Sequence, residues 1–207
     1  MSRTFWDQFA GLYDLAERTN GRTVQGMAAG VVRRLPEDTD FLECAAGTGE
    51  ISLAAAPFVR RVVCTDLSLP MLDRARKKAA KRGLSNMVFQ QRDLFCLPDE
   101  DETYGAVCAA NVLHLLDEPA KAVTELWRVT APGGVLLLPT FLMGEAGPLM
   151  KLLVALYRLL GFRQKHAFTQ QSYRALFQGL PLTELAIVPG RLPVGLAVLR
   201  KTNIREG

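Results

Sequence analysis

Phe41-Leu42-Glu43-Cys44-Ala45-Ala46-Gly47-Thr48-Gly49-Glu50-Ile51 decides how this chain is read. A short apolar run ends at an acid, breaks into small residues and glycines, and then runs into a helix. Where bulky Cβ groups are missing from a strand-to-helix turn, a ligand can lie directly against the backbone. Several ligand classes use such a turn, so the loop alone names none of them.

The segments that follow narrow the choice. A second strand, Arg61-Val62-Val63-Cys64-Thr65, ends at Asp66. In doubly wound nucleotide-binding folds, an acid roughly 20 residues past the glycine loop takes hydrogen bonds from ribose hydroxyls. A third strand, Met87-Val88-Phe89-Gln90-Gln91, ends at Arg92-Asp93, and Asp93 suits a purine amino group that needs an acceptor. Three strand ends bearing carboxylates cradle phosphate poorly, because anions want donors and positive helix ends. They suit a ligand with an ammonium or sulfonium, a diol and an adenine amine, which describes S-adenosylmethionine.

Five segments then carry a resemblance. Glu43-Cys44-Ala45-Ala46-Gly47-Thr48-Gly49, Asp66-Leu67-Ser68-Leu69-Pro70-Met71-Leu72 and Asp93-Leu94-Phe95-Cys96-Leu97-Pro98 come first. Asn111-Val112-Leu113-His114-Leu115 and Arg128-Val129-Thr130-Ala131-Pro132-Gly133-Gly134-Val135-Leu136 follow in order. Together they resemble the class I S-adenosylmethionine-dependent methyltransferases, in the small-molecule, menaquinone/ubiquinone-methyltransferase-like group. The matching residues run from Phe41 to about Phe141, half the chain. Three positions depart from the family pattern: Ala45 replaces a common glycine, Arg92 replaces a glycine, and Gly105 stands where Asp is frequent.

Composition sets outer bounds. A chain of 207 residues, almost half apolar and with net charge +4, fits one globular domain. The basic run from Arg74 to Arg82 surrounds Ala75 and Ala79 at helical spacing, which reads as the solvated face of a helix on a sheet. No nucleic-acid partner is therefore expected. Cys44, Cys64, Cys96 and Cys108 lie in or beside strands without metal-ligand spacing, so buried reduced thiols and no metal are expected. Met1-Ser2-Arg3-Thr4-Phe5-Trp6-Asp7 has no apolar leader core, and a cytoplasmic location is the expectation.

Strands and helices alternate from residue 40 to residue 140, which predicts a parallel sheet covered on both faces. Two late strands, Leu182 to Val188 and Val194 to Arg200, are joined by a link too short for a parallel crossover. An antiparallel hairpin should therefore close the sheet, an ending that a dinucleotide dehydrogenase does not need. The expected fold is α/β: a doubly wound, Rossmann-like, mainly parallel seven-stranded sheet with an antiparallel last strand and helices on both faces. One domain, 1–207, divides into a helical lid (1–35), a cofactor-binding core (36–141), a helical substrate or lid insertion (142–181) and a hairpin (182–203). An amphipathic helix is expected over 3–18, and further helices near 147–160 and 169–178.

The resemblance assigns roles residue by residue. Ala45, Gly47 and Gly49 let the backbone approach the methionine part of the cofactor, and Glu43 holds its ammonium directly or through water. Asp66 takes the ribose, Leu67 and Met71 flank the adenine, and Asp93 with Leu94 reads its edge. Asn111, also assigned to the cofactor, sits where the pocket opens beside the transferable methyl, and Tyr13 on the first helix touches cofactor or substrate or simply packs. His114 has two readings, a general base near the acceptor or a structural histidine. His166 likewise is a base in the variable insertion or a solvated loop residue. The absence of an N-P-P-Y sequence after the fourth strand counts against amino-methylation of nucleic acid. Methyl transfer to a small-molecule acceptor is the expected activity. The alternatives are S-adenosylmethionine binding without catalysis, and methylation of a lipid or quinone at a membrane surface, suggested by the greasy face from Leu149 to Leu160.

Overall fold

The computed structural model describes residues 21–147, 164–188 and 193–203 of the chain. Phe41-Leu42 and Val62-Val63 are apolar on both strand faces, as strands covered by helices on either side must be. In chain order the elements are helix α1 (Gly21–Val32), strand β1 (Asp40–Cys44), helix α2 (Glu50–Ala55), β2 (Arg61–Asp66), α3 (Leu69–Lys81) and β3 (Met87–Gln91). Then come β4 (Tyr104–Ala109), α4 (Pro119–Arg128), β5 (Thr130–Phe141), α5 (Gln170–Ala175), β6 (Leu182–Val188) and β7 (Val194–Arg200).

The seven strands form one sheet in the order β3-β2-β1-β4-β5-β7-β6. β1 pairs in parallel with both β2 and β4, so the chain's direction of winding reverses there. β7 slots antiparallel between β5 and β6, which is the expected hairpin ending. Being central, β7 is buried along nearly its whole length, whereas β6 at the edge is largely half-exposed.

Two apolar layers flank the sheet. Met27 and Val31 of α1, Ile51 and Leu53 of α2, and Leu72, Ala75 and Ala79 of α3 pack on one face with Phe41, Val62 and Cys64. Ala122, Val123 and Leu126 of α4 pack on the other with Leu42, Val63, Val107 and the ring of Tyr173. This is the doubly wound arrangement that the alternation of elements predicted. α3 starts where Ser68 accepts from Met71 N–H, and it stops at Gly83, whose φ of 67° only glycine adopts at little cost. Its basic residues take the outer face: Lys77 and Lys81 are exposed, Arg76 pairs with Asp73, and Lys78 reaches Glu50 at 2.6 Å.

Three expectations are corrected or fall elsewhere. The late helix expected over 169–178 is only six residues long, Gln170–Ala175, closed at its start by a Thr169–Ser172 capping box. Cys96 is exposed, because it sits in the loop after β3 rather than in a strand; the other three thiols are buried. The helices expected over 3–18 and 147–160 lie outside the described residues.

Gly105 has a steric explanation. A Cβ there would fall 2.2 Å from Thr39 Oγ1 but 3.4 Å from Thr39 Cβ. Thr39 thus occupies the space that a side chain at 105 would need. Gly105→Ala should therefore cost about 1–3 kcal/mol of unfolding free energy by overpacking. In a Thr39→Ala background that cost should vanish, and a double-mutant cycle by urea unfolding reads the difference. Equal costs in both backgrounds would show that Thr39 is not the obstacle.

Candidate cofactor site

The site begins with a loop that only small residues allow. After β1, the backbone takes left-handed conformations at Ala45 (φ 53°), Gly47 (φ 56°) and Gly49 (φ 81°). For Ala45 that conformation costs about 1–2 kcal/mol relative to glycine, the residue common there in the resembling family. Local hydrogen bonds hold the path: Ala46 N–H donates to Thr65 O at 2.9 Å, and Gly49 N–H donates to Ala46 O at 2.9 Å. Lys78 of α3 reaches Thr48 Oγ1 at 2.8 Å.

Asp66 closes the same loop from the next strand. Gly47 N–H donates to one carboxylate oxygen at 2.8 Å, and Ser68 N–H donates to the other at 2.9 Å. A carboxylate offers about four lone-pair sites in all, which is the chemistry a diol requires of its acceptor. Beyond β3, Asp93 accepts from Phe95 N–H at 2.9 Å and forms a tight turn. The loop after it is held from below by α4. Glu125 accepts from Leu97 N–H at 2.7 Å, and Arg128 donates to Leu97 O, Asp99 O and Asp101. Arg128 in turn holds the Glu125 carboxyl below its ordinary range.

These pieces converge on a cavity of about 410 Å³ at the carboxyl ends of β1 to β4. Ala45, Gly47, Asp66, Leu67, Met71, Asp93, Leu94 and Asn111 of the predicted set all line it. Such a crevice, at the point where strand order reverses, is where open α/β sheets bind ligands. Arg92, Phe95, Leu115, Leu116, Asp117 and Glu118 also line it and were not predicted. Arg92 stands one residue before an acid that was read correctly, yet its side chain has a structural partner in Asp99, which Tyr104 also engages at 2.7 Å. Asp117 pairs with Lys165 at 2.7 Å, and that lysine holds its carboxyl below the ordinary range.

Four predicted residues lie elsewhere. Glu43 shares strand parity with Phe41, so it points to the α2 face, where its buried carboxylate accepts from Ser52 N–H at 2.8 Å and from the Ser52 hydroxyl. It is not among the walls of the cavity. Gly49 serves packing: a Cβ there would sit 2.9 Å from Ala75 Cβ of α3. His114 is buried in a short turn beside β5, with Nδ1 at 3.1 Å from Thr140 Oγ1, and is not among the cavity walls. Burial, reinforced by nearby His166, drives its pKa down to about 4. A base that weak has little driving force at neutral pH, and the burial and Thr140 contact are those of a packed histidine.

His166 stacks on Phe168 at 5.4 Å, and its N–H donates to His114 O at 3.1 Å. Its ring Nε2 is buried without a hydrogen-bond partner among the described residues. Tyr13 lies outside the described residues. Among the described residues, no group of three or more His, Cys, Asp or Glu is placed to hold a metal ion, and no helix is long and apolar enough to cross a membrane.

A glycine-bearing turn, two strand-end carboxylates and a crevice at the reversal of strand order define a binding protein for a nucleoside-containing ligand. Residues 42–138 match the methyltransferase domain family. The demethylmenaquinone methyltransferase of Renibacterium salmoninarum is 38% identical over 107 residues, covering 52% of this chain and 43% of that protein. A solved S-adenosylmethionine-dependent methyltransferase of Aquifex aeolicus superposes with a TM-score of 0.65 at 19% identity, covering 83% of this chain and 89% of that one. The [4+2]-cyclase SpnF superposes with a TM-score of 0.70 at 20% identity, covering 86% and 80%. Over residues 42–138 the chain carries a methyltransferase domain, and the curated relatives it resembles there include demethylmenaquinone methyltransferases. It spans between 34% and 46% of the length of the first curated relatives it matches.

The buried histidine gives a pH prediction. Its folded pKa, about 4, lies below the unfolded value of 6.5, so its contribution to stability is complete above pH 6.5 and is lost as the pH falls toward 4. Between pH 7 and pH 5 the loss should be about 2 kcal/mol from this group. Urea unfolding of the wild type and His114→Gln at both pH values measures it. A drop equally steep in the variant would remove His114 as its source.

Proposed function

We propose that this chain transfers a methyl group from S-adenosylmethionine to a small-molecule acceptor. The observation that carries the proposal is the convergence of Gly47, Asp66 and Asp93 on one cavity in a chain that carries this domain. The residues fit that cofactor: an exposed backbone turn for its methionine part, a doubly anchored carboxylate for a diol, and a second carboxylate beside Leu94 for an adenine edge. When bound, the cofactor supplies a sulfonium methyl already activated for displacement.

The chain's own task is then positioning and exclusion of water. Asp66 and the turn at 45–47 hold the nucleoside in register, while Leu67, Met71 and Leu94 give it apolar walls. Gly47, Asp66 and Asp93 would hold the cofactor so that its methyl would be open to an acceptor's lone pair. A proton carried by the attacking atom then passes to water or to a nearby base. His166, though not itself a wall of the cavity, is the candidate for that base because its segment packs against the β4–α4 loop. We assign acceptor choice to the segment 142–181 and to residues 1–35. The family match ends at Leu138, so the acceptor class stays at a small molecule. The names of the quinone relatives favour a hydroquinone as the first compound to try.

Calorimetric titration with S-adenosylhomocysteine tests the cofactor reading. Saturable binding is expected, lost in a folded Asp66→Ala variant, with no binding of NAD. Binding of NAD in preference to S-adenosylhomocysteine would overturn it.

A further inference from the structure

Arg92 is the one cationic side chain among the described walls of the cavity, and its charge is already used inside the protein. Its guanidinium donates to Asp99, to the Gln90 side-chain oxygen and, at 3.4 Å, to Tyr104 Oη. Tyr104 Oη donates in turn to the other Asp99 oxygen at 2.7 Å. The side chains of Arg92 and Asp99 are only 12% and 11% exposed, so water competes for this pair far less than for surface pairs such as Lys121 with Glu118. Arg92 is also a position at which the chain departs from the glycine of the family pattern, so the pattern itself does not supply this link.

The pair closes a short arc. Residues 93–98 leave the end of β3 and return to Asp99, and within that arc Asp93, Leu94 and Phe95 line the cavity. The arc has no helix or long strand of its own, so without a brace a ligand would have to order it at a cost in affinity. Glu125 and Arg128 grip the chain only from Leu97 onward. Arg92 couples that outer end back to the strand, and its own N–H donates to Asp66 O at 3.2 Å. One residue thereby joins the backbone of Asp66 to the arc that carries Asp93. A buried network satisfied in this way specifies a single geometry. On the reading given under Proposed function, we propose that Arg92 is a positioning residue for adenine recognition, cinching Asp99 to the end of β3 so that Asp93 meets the purine amine. Its effect passes through Asp99 and Tyr104, neither of which is among the cavity walls.

Two ligands and three variants test this. S-adenosylhomocysteine and its analogue with unsubstituted purine, which lacks only the adenine amine, are titrated calorimetrically into wild type, Arg92→Gln, Asp99→Asn and Tyr104→Phe. Wild type should prefer S-adenosylhomocysteine about tenfold, the scale of one hydrogen bond to a charged group. Arg92→Gln and Asp99→Asn should each cut that preference to about twofold, and combining them should cut it no further, because both break one link. Tyr104→Phe removes a single bond to Asp99 and no charge; it should give an intermediate preference, and it decides the matter if the charge variants do not fold. A merely structural role would lower the unfolding midpoint and weaken both ligands alike. Were Arg92 instead a direct ligand contact, Asp99→Asn and Tyr104→Phe would leave the preference intact. Either result would overturn the positioning role while leaving the cofactor reading standing. Wild type binding both ligands equally would remove Asp93 as the reader of the amine, and the role of Arg92 with it. Failure of wild type to bind S-adenosylhomocysteine at all would overturn the cofactor reading as well.

Discussion

The hydrogen bond from Gly47 N–H to the Asp66 carboxylate is the constraint on which the rest of the site depends. It ties a left-handed turn after β1 to the end of β2, and Ser68 N–H fixes the second oxygen from the start of α3. Three elements are thereby locked around one carboxylate before any ligand is present. The strain at Ala45 is tolerable only because the turn is stitched at Ala46 and Gly49 as well. A cavity assembled this way asks little reorganisation of the protein on binding, which is where positional catalysis gains its advantage.

Around that centre the two halves of the crevice differ in how far their polar groups are satisfied. On the β2–β3 side, Asp66, Asp93 and Arg92 all have protein partners, and Glu125 with Arg128 braces the loop from outside the cavity. On the β4–β5 side stand the two buried polar side-chain atoms without a partner among the described residues, Asn111 Oδ1 and His166 Nε2. One half whose carboxylates are anchored by the protein, and another whose buried polar atoms are not, is a division that would suit a constant donor meeting a variable acceptor. Saturated networks specify one geometry, and unsatisfied atoms wait for ligand groups.

Much of this was legible in the sequence, for reasons that can be named. Strand ends are marked by apolar runs stopping at acids, so the cavity positions of Asp66 and Asp93 follow from spacing alone. The antiparallel insertion of β7 follows from a link too short for a crossover. Glu43 shows what a motif leaves out: alternation along β1 puts it on the same face as Phe41, hence toward α2 and Ser52. His114 was illegible for a different reason. It sits in a three-residue turn, Leu113–Leu115, that has no periodicity from which its inward direction could be read. The brace from Arg128 was equally hidden, since its partners at 97, 99 and 101 are joined to it only by the packing of α4 beneath the loop.

Likeness of fold does not choose the chemistry, since a [4+2]-cyclase superposes on this chain as well as a methyltransferase does. What favours methyl transfer is how little the reaction demands of side chains. An activated sulfonium methyl needs an aligned nucleophile in a dry pocket more than it needs an acid or base. A strong base fixed beside β4 is therefore no requirement, and a histidine neutral down to about pH 4 can be given over to packing at no catalytic cost. The same economy places specificity outside the motif-bearing core. When the donor half is saturated by residues of β1 to β3 and the chemistry is carried by the cofactor, acceptor choice is left to the segments that vary most freely around that core.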